Sequence, residues 1–386
     1  MIRVPVVSQD GKPLMPTKSS RARRWMKDGA AIGRWSDLGV YYVQMLRPVE
    51  EDTQLVVVGV DPGKSYAGIG VQSTKYTLLR LHLILPFGRI RERMDKRREL
   101  RRSRRGRRIK RNLPQKLRNH RQCRFSNRKQ AKIPPSIRAS RQLELRVVKE
   151  ISKIFPVTAI GYERVRADVD RTSGRKGAKL GKGFSPVMSG QNWAIEQMKI
   201  IAPVFIREGW QKDGNGTSQI RSYLGLEKDK KNKSEAKPET HAVDGVALAC
   251  GYFIRYSRHI GRNTHGYLWS GNVEVTDSVF RIVTRPGAVK RGKEYGFFRR
   301  QLHTERPSKC GTRARKGGTV TSFGFRVNDL VFAEKAGEKY IGYAGGFTST
   351  NKTKKISVCG YTWSRIGQFS PNKVKMLRRS NGLCVA

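Results

Sequence analysis

Cysteine is scarce and scattered in this 386-residue chain: Cys123, Cys250, Cys310, Cys359 and Cys384 include no CxxC pair. That spacing excludes a zinc ribbon and a disulfide framework and fits a reducing cytoplasm. Any metal chemistry must then come from carboxylates. Acids are scarce as well, with 30 Asp and Glu against 80 Lys and Arg and a net charge of +50. A compact chain with that charge repels itself, so a polyanionic partner is expected. Charge alone also admits a generic basic chromatin or ribosomal protein. No apolar run is long enough to span a bilayer, and MIRVPVV lacks the basic-then-apolar order of a secretory signal. Without a basic amphipathic helix bearing aromatic anchors, no membrane partner is expected. No tandem repeat is present, and the length allows a real core and two or three domains.

What is present divides the chain into six stretches. Residues 1–53 read as a small basic module: a strand at Val4–Val7, the turn DGKPLMP, a helix from Ser19 to Lys27 stopped by Gly29, and a strand at Gly39–Leu46. Residues 54–88 read as two or three hairpin-connected strands, of which VVVGV has the continuous apolar run of a strand buried on both faces. Residues 89–128 are an Arg-rich insert. Its first part, RIRERMDKRRELRRSRRGRRIKR, holds fourteen Arg or Lys in 23 residues. A charge run is ordinarily a solvated face or tail. This one lies between foldable segments, lacks proline and favours arginine, so a helix laid along nucleic acid reads better.

Residues 129–189 follow with a helix over 137–154, the strand VTAIGYERV at 157–165, and the Gly/Lys-rich loop DRTSGRKGAKLGKGFS, expected to be mobile or to order only on nucleic acid. Residues 190–258 carry helical patterns at Asn192–Glu208 and Thr240–Tyr256. Residues 259–386 turn to short strands and glycine turns; RVNDLVFAEKAGEKYIGYAGGF with KKISV resembles a small SH3-like barrel, either a recognition domain or a structural cap.

The stretch GVDPGKS at 59–65 tests three chemistries. A phosphate-binding P-loop needs four residues between its first glycine and the Gly-Lys pair, and must open a helix. Here Gly59 and Gly63 enclose three, position 58 is Val, and YAGIGV continues as strand. The P-loop is excluded. Asp-Pro-Gly is a favoured turn, so Asp61 alone is a turn residue as readily as a metal ligand. In VTAIGYERV, alternation sets Glu163 among Val157, Ala159, Gly161 and Val165, where a charge needs a cation, either a metal or an arginine. In THAVDGVALACGYF, Thr240 can cap a helix with Val243, Val246, Ala247, Cys250, Phe253 and Ile254 on its apolar face. His241 and Asp244 then share a face three residues apart, although an acid in a first turn also suits the helix dipole. Jointly, an Asp ending a first strand, a Glu ending a later one and HxxD opening a late helix form the order of an RNase H-like nuclease. Hard oxygen ligands of this kind suit Mg²⁺ and two-metal phosphodiester cleavage, with His241 beside the water.

GVDPGKSYAGIGV, IGYERV and HAVD resemble the three motifs of the RuvC nuclease domain. The Arg-rich run resembles the bridge helix of CRISPR type II effectors, and GKPLMPTKSSRARRWMKDGAA is similar to the PLMP module of the transposon-encoded, RNA-guided IscB proteins. The resemblance covers most of residues 1–258. IscB proteins carry an HNH nuclease between the second and third motifs, whereas no histidine or cysteine lies between Glu163 and His241 here. The chain therefore resembles IsrB, the HNH-lacking relative.

That resemblance implies an α/β fold: an RNase H-like (RuvC) mixed sheet with helices, split by an Arg-rich bridge helix, with a PLMP module before it and a β-rich domain after it. It implies an RNA-guided nickase cutting the non-target DNA strand, a monomer bound to a long omega-type guide RNA and to double-stranded DNA with a short flanking motif, cytoplasmic and at the nucleoid when on DNA. The 259–386 region would contact the guide and the flanking motif. Asp61, Glu163 and Asp244 would bind two Mg²⁺, with Mn²⁺ as a substitute, and His241 would assist. Arg91, Arg97, Arg98, Arg101, Arg102, Arg104, Arg105 and Arg108 would contact nucleic acid. Three alternatives predict other features. A RuvC-type Holliday-junction resolvase is smaller, dimeric and lacks the PLMP module, and an inactive RNA-binding regulator would have lost an acid. An OrfB-type nuclease carries a CxxC near its third motif.

Overall fold

Apolar alternation at the N-terminus builds a four-stranded sheet rather than an isolated pair of strands. In the computed structural model, which describes residues 2–108, 112–117, 133–165, 185–209, 211, 213–214, 216–228, 238–260, 265–286, 323–349 and 353–386, the first elements are β1 (Arg3–Val7), β2 (Pro13–Lys18), α1 (Ser19–Lys27), β3 (Ala31–Trp35) and β4 (Tyr41–Met45). The order is β2-β1-β4-β3, with β1 and β4 parallel. Val6, Leu14, Ala22, Ala31, Val43 and Met45 form its core. One expectation is corrected and one strand, β3, was not foreseen. The PLMP segment is strand, not turn: Pro13 opens β2, where a missing N–H costs least. The strand β3 lacks alternation because all but Ala31 of its residues are exposed.

The next three strands, β5 (Val56–Asp61), β6 (Tyr66–Ser73) and β7 (Thr77–Ile84), are antiparallel neighbours. The Arg-rich run is a helix, α2 (Phe87–Arg108). It packs against α3 (Pro135–Ile151), which starts at Pro135, a residue suited to a helix's first turn, and ends three residues sooner than expected. Next comes β8 (Val157–Glu163), parallel to β5.

The expected helix Asn192–Glu208 divides into α4 (Pro186–Met198), capped by Ser185 Oγ accepting from the Met188 N–H at 3.3 Å, and β9 (Val204–Arg207). Pro203 separates them, and Val204–Arg207 gains a ladder beside β8. After α5 (Thr217–Tyr223) comes α6 (Pro238–Cys250). The latter is shorter than the expected Thr240–Tyr256, because β10 (Ile254–Ile260) folds back on β11 (His265–Gly271) as a hairpin. Thr240 thus lies inside α6 rather than at its cap, and Phe253 and Ile254 leave the helix.

Residues 259–386 do not form one separate domain. Their first apolar strand, β12 (Val279–Thr284), pairs in parallel with β7. The strands β13 (Leu330–Lys335), β14 (Glu338–Ser349), β15 (Lys354–Cys359), β16 (Arg365–Phe369) and β17 (Val374–Arg378) make a five-stranded antiparallel sheet around Val331, Ala333, Ala344, Ile356, Val358 and Phe369. The chain then returns through β18 (Cys384–Val385), which pairs with β12.

The main sheet has seven strands in the order β18-β12-β7-β6-β5-β8-β9. Three antiparallel strands, β7-β6-β5, continue into two parallel ones, β8 and β9, which is the RNase H-like arrangement. One face buries Val58, Val60, Ile69, Leu81, Ile160 and Tyr162 with residues of α3 and α4. The opposite face carries Val57 and Ala159, packed with Ala249 of α6. Among the described residues no helix is long and apolar enough to cross a membrane. The Gly/Lys-rich loop from Asp170 to Phe184, the insert's continuation to Arg128, Cys123 and Cys310 lie outside the described residues; Cys250, Cys359 and Cys384 are buried free thiols.

Candidate active site

Period-two alternation puts Asp61 and Glu163 on the α6 face at the same end of neighbouring parallel strands. Gly59 pairs with Gly161 and Val60 with Tyr162, so the next residues along, Asp61 and Glu163, finish β5 and β8 side by side. Glu163 is close enough to act directly on the Asp61 carboxyl. Carboxyl ends of sheet strands are where α/β folds commonly bind ligands.

The third acid reaches them because α6 lies almost on the backbone of the sheet. A Cβ on Gly59 would sit 2.0 Å from the Gly245 carbonyl oxygen, and one on Gly68 would sit 1.7 Å from that of His241. Any side chain at either position would lift α6 and withdraw Asp244, which is only 3% exposed. The structure therefore brings Asp61, Glu163 and Asp244 into one electrostatic unit. Burial raises the Asp61 carboxyl well above the ordinary carboxylate range. The charges of Glu163 and then Asp244 push it the same way, with Lys228 opposing.

The cations that answer this crowding come from the segment between the second and third motifs. Arg221 Nη1 donates to Asp244 Oδ1 at 2.6 Å, and the Lys228 ammonium contacts Asp244 Oδ2. Thr217 Oγ1 donates to Glu163 Oε1 at 2.9 Å. The arginine next to Glu163 looks elsewhere, since Arg164 pairs with Glu208 at 2.6 Å. No three His, Cys, Asp or Glu among the described residues are closed into a ready metal cage. The donor set nevertheless fits a hard divalent cation. Burial, then two crowding carboxylates, raise Asp61, and a lysine ammonium stands on the third acid.

His241 shares a helix with Asp244, yet its ring turns into an aromatic triangle. Centroids lie 5.1 Å from His82, 5.2 Å from Tyr66, and 5.1 Å between His82 and Tyr66. His82 stands in register with Gly68 and Asp61 across three strands. Burial, then the charge of Lys228, lowers His241; burial and the neighbouring His241 lower His82 to about 4. Both imidazoles are therefore neutral at neutral pH. His241 Nε2 and His82 Nδ1 have no hydrogen-bond partner among the described residues.

Beneath the loop that follows Asp61 lies a buried charge. Arg141 donates to the Gly63 carbonyl at 2.6 Å, to Glu144 Oε2 at 2.8 Å and to the Tyr162 hydroxyl at 3.1 Å. Burial pushes Glu144 up to about 7 against the pull of Arg141. The signal was legible, since Arg141 shares a helix face with Leu145 and Val148, where a charge is out of place. For Thr217, Arg221 and Lys228 no local pattern gave a sign.

On α2, Arg91, Arg97, Arg98, Arg101 and Arg102 are exposed. Arg98 pairs with Asp95 at 3.1 Å. The side chains of Arg104, Arg105 and Arg108 lie outside the described residues.

A family model described as "RRXRR protein" matches residues 4–183, a span that contains Arg-Arg-Ser-Arg-Arg at 101–105. No curated protein matches the chain. Among solved structures, Thermus thermophilus RuvC in complex with a Holliday junction substrate is 15% identical, over 51% of this chain and 92% of that one, with a TM-score of 0.24. A second T. thermophilus RuvC structure gives the same identity and coverage with a TM-score of 0.22. A cryo-EM structure of a CRISPR-Cas12f ternary complex is 15% identical over 61% of this chain and 49% of that one, with a TM-score of 0.29. At such distances the sheet order itself, not these neighbours, defines the fold.

Proposed function

We propose that the chain is an RNA-guided DNA nickase whose one RuvC-type site cuts the non-target strand. The convergence of Asp61, Glu163 and Asp244, with Asp61 raised by burial and then by its two acidic neighbours, carries this reading. A net charge of +50 supports the guide-RNA and DNA partners, as does an exposed arginine face on α2. Specificity by base pairing leaves the protein to hold backbone and shape, and the described part of the 323–386 sheet is assigned to the guide and flanking motif.

Asp61, Glu163 and Asp244 would hold two Mg²⁺, which supply Lewis-acid activation of water and charge neutralisation at the leaving oxygen. Thr217 fixes the Glu163 carboxylate in one orientation through its hydroxyl. Arg221 and Lys228 hold the Asp244 carboxylate and would be available to the phosphodiester if a divalent cation took over that charge. His241, neutral at neutral pH, would assist proton transfer. Arg141 holds the Gly63 carbonyl and so the loop carrying Asp61.

The test is to purify the protein from cells carrying its own locus, sequence co-purifying RNA, and incubate with Mg²⁺ and a supercoiled plasmid bearing a matched target. Guide-dependent open circle is expected, and Asp61→Ala should bind without nicking. Linear product contradicts a single cut, and the absence of a discrete RNA overturns guidance.

A further inference from the structure

Directly after α6, the hairpin β10–β11 leaves the active-site helix as a two-stranded sheet, with no third strand among the described residues. One of its faces is lined with rings. Tyr256 pairs with Trp269 and Arg258 with Tyr267, so all four project to the same side. Tyr267 and Tyr256 stack at 5.2 Å with 16° between planes, Tyr256 meets Trp269 at 5.0 Å, and Trp269 stacks on Tyr223 of α5 at 4.5 Å and 16°.

The middle of this ladder is structural. Trp269 packs on the cluster of Ile220, Ala247 and Ile254. A purely structural stack would bury its ends too, but Tyr267 is 57% and Tyr223 47% exposed. The open Tyr267 ring also has a cation in register: exposed Arg258 stands opposite it. An aromatic face with an adjacent cation suits a base and its phosphate, and neither groove of a closed duplex offers an unstacked base.

The helix α5 ties this ladder to the acids. Within one short element, Thr217 bonds Glu163, Arg221 bonds Asp244, and Tyr223 ends the ladder. Thr217 to Tyr223 is about 9 Å of helix at 1.5 Å per residue, so the ladder begins within a few nucleotides of the acids.

We propose that the Tyr267–Tyr256–Trp269–Tyr223 ladder is a stacking platform for single-stranded DNA, holding the bases within a few nucleotides of the bond to be cut. This rests on the nuclease reading of the acid site and adds where its substrate strand lies.

The test measures binding by the full-length protein in EDTA, so that no cleavage occurs. Fluorescein-labelled oligodeoxythymidine, a duplex of equal length and oligouridine serve as probes across a salt series. Tyr267→Ala and Tyr223→Ala should each weaken single-stranded DNA binding roughly five- to hundredfold. Tyr→Phe at either position should bind as the parent does, and the duplex should be unaffected. The slope of affinity with salt should be unchanged in the ring variants, since no phosphate contact is lost, whereas Arg258→Ala should reduce it by about one. Unaltered single-strand affinity overturns the proposal, as does a loss shared equally by the duplex. Ring dependence for oligouridine alone overturns it too, by assigning the ladder to RNA. A thermal midpoint in each variant within a few degrees of the parent's shows that the fold is intact. Ring-dependent binding by a protein that never nicks plasmid sinks the nuclease reading only; nicking with ring-independent binding sinks the platform only.

Discussion

Replacing Arg141 by methionine keeps most of the side chain's volume and removes its charge from the centre of α3. Arg141 is 4% and Glu144 0% exposed, so the substitution leaves a carboxylate in the core with its counter-charge gone. Breaking a buried pair from one side costs about 3–5 kcal/mol, a large share of the roughly 5–15 kcal/mol that holds a typical domain. The cost also depends on pH. Glu144 is raised to about 7 even with Arg141 present, so the folded state binds its proton more tightly than the unfolded state does. The stability this contributes is present at low pH and lost as pH rises through about 7. Arg141→Met should therefore lose more stability at pH 8 than at pH 5.5, measured by urea unfolding followed by circular dichroism. The double variant Arg141→Met/Glu144→Leu removes both charges and should return to within about 1 kcal/mol of the parent. Its nicking should not return. Both variants lack the donor to the Gly63 carbonyl, and a loosened Asp61 loop should cost about tenfold or more in single-turnover rate. Recovery of stability and nicking together in the double variant would refute the positioning role. A single-variant cost below about 1 kcal/mol would refute the buried pair.

Gly59→Ala puts a methyl 2.0 Å from the Gly245 carbonyl; a backbone clash of this kind should cost about 3 kcal/mol or more and abolish nicking, read by unfolding and plasmid assay. His82 is lowered to about 4, so the unfolded chain takes up a proton first on acidification. The protein should lose up to about 3 kcal/mol between pH 6.5 and 4, and His82→Leu should flatten that limb of the curve. Asp61 is raised, so without divalent cations stability falls as pH rises above the carboxylate range. Mg²⁺ should raise the thermal midpoint more at pH 8 than at pH 6, EDTA should reverse this, and Asp61→Asn should lose most of the shift.

The parts of the fold legible in advance were those in which one segment's own pattern sufficed. VVVGV is fully buried on both faces as its apolar run required. Ser19–Lys27 and the Arg-rich run are helices because their residues favour helix over any competing pairing. Errors arose where a short segment at the end of a helical pattern had a partner elsewhere. Val204–Arg207 and Ile254–Tyr256 read as continuations of helices, and each became strand because a neighbouring edge offered a complete ladder. The strand Val279–Thr284 looked like part of a separate β domain for the same reason, since its partner β7 lies about two hundred residues earlier in the chain.

The sequence by itself determined which residues bring chemistry: an acid ending each of two strands, HxxD on one helix, a dense arginine helix and no histidine between the second and third motifs. Those are local facts, set by periods of two and 3.6 residues. Only the tertiary structure decided their company. Gly59 and Gly68 let α6 press onto the sheet, which is what carries Asp244 to the acids. Arg221 and Lys228 neutralise Asp244 across 23 and 16 residues of chain, and Arg141 reaches Gly63 across 78. Charges interact through space and through whatever solvent burial leaves between them, and neither quantity is written in the spacing of residues along the chain.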